Sequence, residues 1–250
     1  MFVLGVYSKK TSSTAGTGES FSRYAQKTYW FIRRRKDDEY EVQPLNDHAL
    51  PSGIVTVISK GQFIKQFAPE PEYFERKTGP LLKRLQKKLD LGEKYFTKEN
   101  FDQAEQEFLK AISLDDTNAK ANLRLGSIYC RKGQHEHVRA TIKRILSNDA
   151  AFREDERHLF NEFGIDLRKA KHYKESVAYY NKAIALNNKD EHLHFNIARA
   201  FFESGQLEAC EEHLKKALDL NAAFNEAARF LQYIDQKTNG DRQNTPENQS

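Results

Sequence analysis

Residues 85–118 read LQKKLDLGEKYFTKENFDQAEQEFLKAISLDDTN, and residues 119–152 read AKANLRLGSIYCRKGQHEHVRATIKRILSNDAAF. Laid one under the other, Gly92 falls on Gly126 and Tyr95 on Tyr129. The same spacing of 34 residues returns between Ala183 and Ala217. A fixed period of this length means that one supersecondary unit is being copied. Two helices of about 12 to 14 residues joined by a tight turn bury their apolar sides only against the next copy, so small residues must recur where helices cross closely. Gly92, Ala104, Gly126, Gly164, Ala183, Ala198 and Ala217 fill that role.

Counted from its first residue, the unit 85–118 has Leu91, Gly92, Tyr95, Ala104, Phe108 and Ala111 at positions 7, 8, 11, 20, 24 and 27. This arrangement resembles the tetratricopeptide repeat, L-G-x-x-Y followed by A-x-x-x-F and a closing small residue. Unit 119–152 keeps Leu125, Gly126, Tyr129 and Gly133 but has Val138, Ile142 and Ile145 in its second half. Unit 157–190 carries Phe163, Gly164, Leu167, Tyr173, Tyr180 and Ala183, after four extra residues, Arg153 to Glu156. Unit 191–224 has Ile197, Ala198, Phe201, Gly205, Leu214 and Ala217, with Cys210 at the small-residue position. Asp116, Ala150, Asn188 and Ala222 stand at the unit ends where the family favours proline. The resemblance covers 140 of the 250 residues. It implies a mainly α fold, an α-solenoid of antiparallel helix pairs, here with a small β-rich N-terminal module. Residues 225–237, with Ala227, Ala228, Phe230, Leu231 and Ile234, read as a helix closing the array.

Upstream of the array the pattern changes. Segment 1–27 is expected to be a basic flexible arm: Lys10 to Ser20 is rich in Ser, Thr and Gly, and it lacks the G-x-x-x-x-G-K-[ST] spacing of a phosphate loop. Residues 28–79 are expected to form the β-rich module. Tyr29 to Ile32 reads as a strand, Lys36 to Asp38 as a turn, and Tyr40 and Val42 alternate with Glu39, Glu41 and Gln43 as the partner strand of a hairpin. Ile54 to Ile58 is a third β-branched run. Ser59 with Gln62 is a capping-box signal, placing Phe63, Ile64 and Phe67 on one face of a short helix. A further helix should run through Lys77, with Gly79 and Pro80 as a break before the array over 80–237. The polar stretch 238–250 is expected to be disordered.

Composition is consistent with an extended array. An apolar content of 38% beside 30% charged residues suits a fold with much surface per residue. No run approaches the roughly 18 apolar residues of a membrane span, and Met1 to Tyr7 is short for a signal peptide, so the cytoplasm is the expected location. Cys130 and Cys210 lie in different repeats and make no disulfide framework. Met1 to Lys36 holds eight Lys and Arg against one acid, a net +7, while the rest of the chain holds 32 against 35 and carries −3.

What the family resemblance implies about function is a groove, lined by the first helix of each unit, that takes an extended peptide or a partner helix. Unit positions 2, 5, 9 and 12 give Lys120, Leu123, Ser127 and Cys130, then His158, Asn161, Ile165 and Arg168, then His192, Phe195, Arg199 and Phe202. Arg131, Lys169, Arg229 and Tyr233 lie nearby. A groove of mixed apolar and basic residues suits an acidic or C-terminal peptide. The subclass that clamps a chaperone's C-terminal carboxylates needs Lys and Asn at positions 5 and 9 of its first unit. Leu89 and Glu93 stand there, so that partner is not expected.

Catalysis has no motif to support it. There is no H-E-x-x-H, paired-cysteine motif or G-x-S-x-G. The pair His135/His137 falls in an expected turn, and His192/His194 on an expected helix, where residues two apart point about 200° apart and cannot share a metal. No cofactor or metal is expected. The reading is of a non-catalytic adaptor or assembly scaffold. The alternative is a nucleic-acid-associated factor, in which Tyr29, Trp30 and Phe31 stack bases and Arg33 to Lys36 track phosphates.

Overall fold

The structure, a computed structural model, describes residues 2–15, 22–36, 38–147, 149–152, 157–186 and 188–243. It falls into two compact units, Met1–Asn122 and Leu123–Ser250.

In the first unit β1 (Phe2–Ala15) and β2 (Ser22–Lys36) form a long antiparallel ribbon, with Phe2 opposite Arg34 and Ala15 opposite Ser22. β3 (Glu39–Pro44) pairs with β2 as the expected hairpin, and β4 (Thr56–Ser59) pairs with β3. A short β5 (Ala68–Pro69) returns to β1, giving the order β4-β3-β2-β1-β5. Alternation along the strands supplies two faces. Ile32, Tyr40 and Val42 pack on one face with Phe67 and Phe63, the last stacked on Tyr40 at 4.3 Å. On the other face Tyr29 stacks on Tyr73 at 4.1 Å, and buried Phe31 meets Phe74.

The arm expected over 1–27 is therefore strand wherever it is described. Its Ser and Thr residues offer no apolar face to read, but pairing with β2 satisfies their backbone groups without one. Gly16 and Gly18 lie outside the described residues. Ser59 and Gln62 form the capping box of α1 (Lys60–Gln66), with Ser59 N donating to Gln62 Oε1 at 3.0 Å. Ile64 does not join Phe63 on the sheet and is 68% exposed. Phe67 has already left the helix in an extended conformation, which puts it back on the sheet.

Gly79 and Pro80 do not break the chain. α2 (Pro71–Tyr73) runs through a π turn at Phe74–Thr78 directly into α3 (Gly79–Phe96). Pro80 sits where the widened turn accommodates its missing N–H, and Thr78 Oγ1 donates to Ala49 O at 2.8 Å.

The repeat helices follow the 34-residue frame. α3 pairs with α4 (Phe101–Ile112), and α5 (Ala119–Arg131) precedes α6 (His135–Leu146). α7 (Arg157–Lys169) pairs with α8 (Tyr173–Leu186), and α9 (Glu191–Glu203) with α10 (Leu207–Leu220). Every turn inside a unit is built the same way. The position-16 amides of Asn100, Gln134, His172 and Gln206 donate to the position-11 carbonyls of Tyr95, Tyr129, Leu167 and Phe201, at 2.9 to 3.0 Å. The residue before each has positive φ: Glu99, Gly133, Lys171 and Gly205. This is a left-handed helix stop, with the next residue opening the second helix.

Glycine at position 8 lets the helices close. A Cβ on Gly92 would sit 2.8 Å from the Phe108 ring, and one on Gly164 would sit 2.2 Å from Tyr180 Oη. At Gly126 the pressing ring is Phe163 of the following unit, at 2.5 Å, because position 24 of its own unit is Ile142. α11 (Asn225–Gln243) closes the second unit, burying Ala227 and Ile234 beside Leu214, Ala217 and Phe224. It extends beyond the expected 225–237, so residues 238–243 of the expected disordered tail are helical; 244–250 lie outside the described residues, as do Arg153 to Glu156.

Candidate protein-docking face

In the second unit the first helices of successive repeats are joined side by side by charge, then by aromatic rings. Arg124 Nη1 meets Glu162 Oε2 at 2.6 Å, and Arg131 reaches Glu162 Oε1 at 2.8 Å and Asp166 Oδ2 at 3.2 Å, tying α5 to α7. Arg168 pairs with Glu203, tying α7 to α9. Between α9 and α11 the contacts are rings: Phe202 meets Phe230 at 5.2 Å and Tyr233 at 5.9 Å, and Phe195 meets Phe230 at 6.1 Å. Lys237 Nζ lies 5.2 Å from the Phe202 ring.

The structure sorts the expected groove residues into three groups. Leu123 and Ser127 are each 1% exposed, and Cys130 is buried with them. Residues 121–130 are all buried, so the α5 part of the expected groove offers no open surface. Arg131 and Arg168 lie on the face but are neutralised by Glu162, Asp166 and Glu203; Lys120 is 3.9 Å from Glu93 in the first unit. The third group is open: His158, His192, Arg229, Tyr233 and Lys169 are exposed, and Asn161, Ile165, Phe195, Arg199 and Phe202 are half-buried. His192 packs edge-on against Phe224 at 4.8 Å. Arg199 and Asn161 make no side-chain hydrogen bond or ion pair among the described residues.

The acids of this ladder are what the sequence reading missed. A signal existed, since Arg124 and Glu162 occupy the same unit position, 6, in neighbouring repeats with opposite charge. Asp166 is held above the usual carboxylate range by burial, against the pull of Arg131. Burial, with the Asp166 charge second, pushes the Cys130 thiol up to about 12, an inert core group.

The histidines pair across repeats and helices instead of within their H-x-H motifs. His135 Nδ1 lies 2.9 Å from His172 Nε2, and His194 Nδ1 lies 3.2 Å from His213 Nδ1. Burial, then Lys216 and His194, brings His213 down to about 4, and burial lowers His172 and His194. Among the described residues no group of three His, Cys, Asp or Glu is placed to hold a metal, and no helix is long and apolar enough to cross a membrane.

Two family models, both described as tetratricopeptide repeat, match residues 89–118 and 167–234. The chain is a tetratricopeptide repeat protein. The matches fall on the two stretches where the repeat pattern is fullest and leave out unit 119–152, with its Val138, Ile142 and Ile145. Among solved structures, PilF of Pseudomonas aeruginosa is similar at 18% identity, covering 64% of this chain and 72% of that one, with a TM-score of 0.48. A MamA structure has 19% identity, covers 62% and 83%, and has a TM-score of 0.48. MamA from Desulfovibrio magneticus RS-1 has 15% identity, covers 62% and 86%, and scores 0.47. At these identities and scores the assignment is carried by the family matches and the repeat geometry. Tetratricopeptide repeat proteins bind other proteins, and this chain has the helical array of such an interaction scaffold.

Proposed function

We propose that the first-helix face of residues 157–237 docks an extended segment or a helix of another protein, and that the chain is a non-catalytic, cytoplasmic adaptor or assembly scaffold. One observation carries the reading. Phe195, Phe202, Phe230 and Tyr233 converge from α9 and α11, and none of them is fully buried. Aromatic anchors ringed by polar groups are the usual energetic centres of protein interfaces. Arg199, Asn161 and Arg229 supply the polar ring. The α5 residues and the paired Arg131 and Arg168 contribute order and not contact. Two buried, unpaired thiols suit a reducing compartment.

The test is affinity capture with crosslinking from the native cell, comparing the full chain with a Phe202→Ala, Tyr233→Ala variant. Loss of a crosslinked partner supports docking here. Capture of the same partners by the variant, with crosslinks elsewhere, overturns it.

A second reading has an observation of its own. β1 and β2 together carry eight Lys and Arg and no acid on paired strands, and a basic two-stranded ribbon can lie along a nucleic-acid groove. Internal partners weigh against it, since Lys27 meets Glu70 at 2.5 Å and Arg33 lies 3.7 Å from Glu41.

A further inference from the structure

The five-stranded sheet of the first unit has one guarded edge and one open edge. β5 guards the first: it is two residues long, contains Pro69 and is followed closely by Pro71. β4 stands at the other end of the strand order. Gly53 to Ser59 reads GIVTVIS, without a charge or a proline, although exposed edges are normally blunted by one or the other. Ile54 is 67% exposed and Val57 45%. The phase of the ladder fixes which backbone groups face out. Lys60 N donates to Asp38 O at 3.0 Å, and these two residues are opposite in the β3–β4 register, so the bonded pairs fall at Lys60, Ile58 and Thr56. The N–H and C=O of Val57 therefore point away from β3, toward the open edge. Ser59 points the same way, but its N–H is already given to Gln62 Oε1 in the capping box of α1.

We propose that the β4 edge pairs with β4 of a second copy of this chain, antiparallel about a two-fold axis at Thr56, joining two sheets into one. The inference is independent of the docking face. An added strand must set outward groups against outward groups, so Val57 faces either Val57 or Val55 of the second copy, Val55 continuing the alternation by one residue. The first register leaves Val55 opposite Ser59, whose N–H is taken. The second closes two bonded pairs, each joining Val57 of one copy to Val55 of the other, and Thr56 meets its own counterpart on the axis. Charge favours a second copy as the occupant. This edge offers a charged segment nothing to recognise, and the two-fold places Lys60 of each copy opposite Ser52 of the other, so no like charges meet. A contact along β4, four residues long, buries well under the roughly 1,200 Å² of a standard interface, so the dimer is weak and depends on concentration.

Sedimentation velocity on the full chain across the micromolar range reads the oligomeric state. The expected result is a monomer–dimer equilibrium that shifts with concentration. Val57→Pro removes an N–H that points off the edge and leaves the ladder to β3 its hydrogen bonds, so it should weaken the dimer by about tenfold or more, as for two lost hydrogen bonds. Thr56→Cys sets two thiols on the axis, where non-bonded antiparallel neighbours have Cα atoms about 4.5 Å apart, within disulfide reach. Under mild oxidation it should form a covalent dimer much faster than Ile64→Cys, whose side chain is also exposed but lies on α1. Cys130 and Cys210 are buried and do not compete. The cysteine comparison decides the matter where Val57→Pro fails to fold. A chain that stays monomeric throughout, a folded Val57→Pro variant that dimerises as the parent does, equal crosslinking of the two cysteine variants, or open-ended assemblies in place of a dimer would each overturn the proposal.

Discussion

Position 15 of each repeat takes a backbone conformation that L side chains resist, and the chain answers it unevenly. Gly133 and Gly205 adopt φ of 68° and 80° freely, whereas Glu99 and Lys171 are held at 57° and 62°. A left-handed residue with a Cβ costs about 1 kcal/mol relative to glycine, partly repaid by the looser unfolded chain that glycine gives. Lys171→Gly should therefore raise stability by about 0.5 kcal/mol in urea unfolding, and Gly133→Ala should lower it by about 1 kcal/mol. Gly164→Ala is a different case. The new methyl meets a stiff, fully buried tyrosine, so a loss of about 1–3 kcal/mol is expected. His213 sets a third test. Its folded pKa of about 4 lies below the ordinary 6.5, so in that interval the unfolded chain binds more protons than the folded one. Stability should be full above pH 6.5 and fall as pH drops toward 4, by about 2 kcal/mol once solvent screening of this partly exposed ring is allowed for. In a pH series of urea melts, His213→Leu should flatten the slope over that window; an unchanged slope would assign the acid sensitivity elsewhere.

Among the elements, α1 and the β1/β2 ribbon separate what a pattern suggests from what it fixes. Phe63 stacks on Tyr40 at 4.3 Å and meets Tyr7 at 5.1 Å, whereas Ile64 faces water. Phe63→Ala should cost about 2–3 kcal/mol and Ile64→Ala close to nothing, read by thermal unfolding. The two residues look equivalent in sequence because a seven-residue helix has no periodicity long enough to choose between them. The ribbon was illegible for a different reason: a run of Ser and Thr carries no apolar alternation to read, and it is a partner strand that makes it β. That pairing also changes how the nucleic-acid reading is tested, since deleting residues 1–36 would remove two central strands of the sheet. Lys10, Arg35 and Lys36 are exposed, so replacing all three with Gln should leave the fold intact. If the ribbon binds nucleic acid, salt-sensitive retention on it should fall by about tenfold or more at low salt; retention equal to the parent's would remove that reading.

Across the molecule, charge and repeat behave differently as sources of information. The helix pairs, their turns and the closing helix were readable because each rests on local chemistry repeated at a fixed interval: a glycine or alanine at the crossing, an aromatic ring to press on it, a turn at the same offset. The candidate face was readable only in part. Choosing unit positions 2, 5, 9 and 12 found Phe195, Arg199 and Phe202, which are half-buried on that face, and also Leu123 and Ser127, which are buried. Counting basic residues suggested a cationic groove, yet Arg124, Arg131 and Arg168 are answered by Glu162, Asp166 and Glu203. Those pairings join residues 31 to 38 positions apart, which repeat periodicity brings to the same face without saying which will touch. The order of side chains therefore dictated the helical array, because a helix pair with one apolar side has few ways to bury it. Which cations stay unpaired, which glycine opens a slot for a hydroxyl, and which ribbon becomes a sheet depended on contacts between segments far apart in the chain, where geometry and desolvation, not local preference, set the outcome.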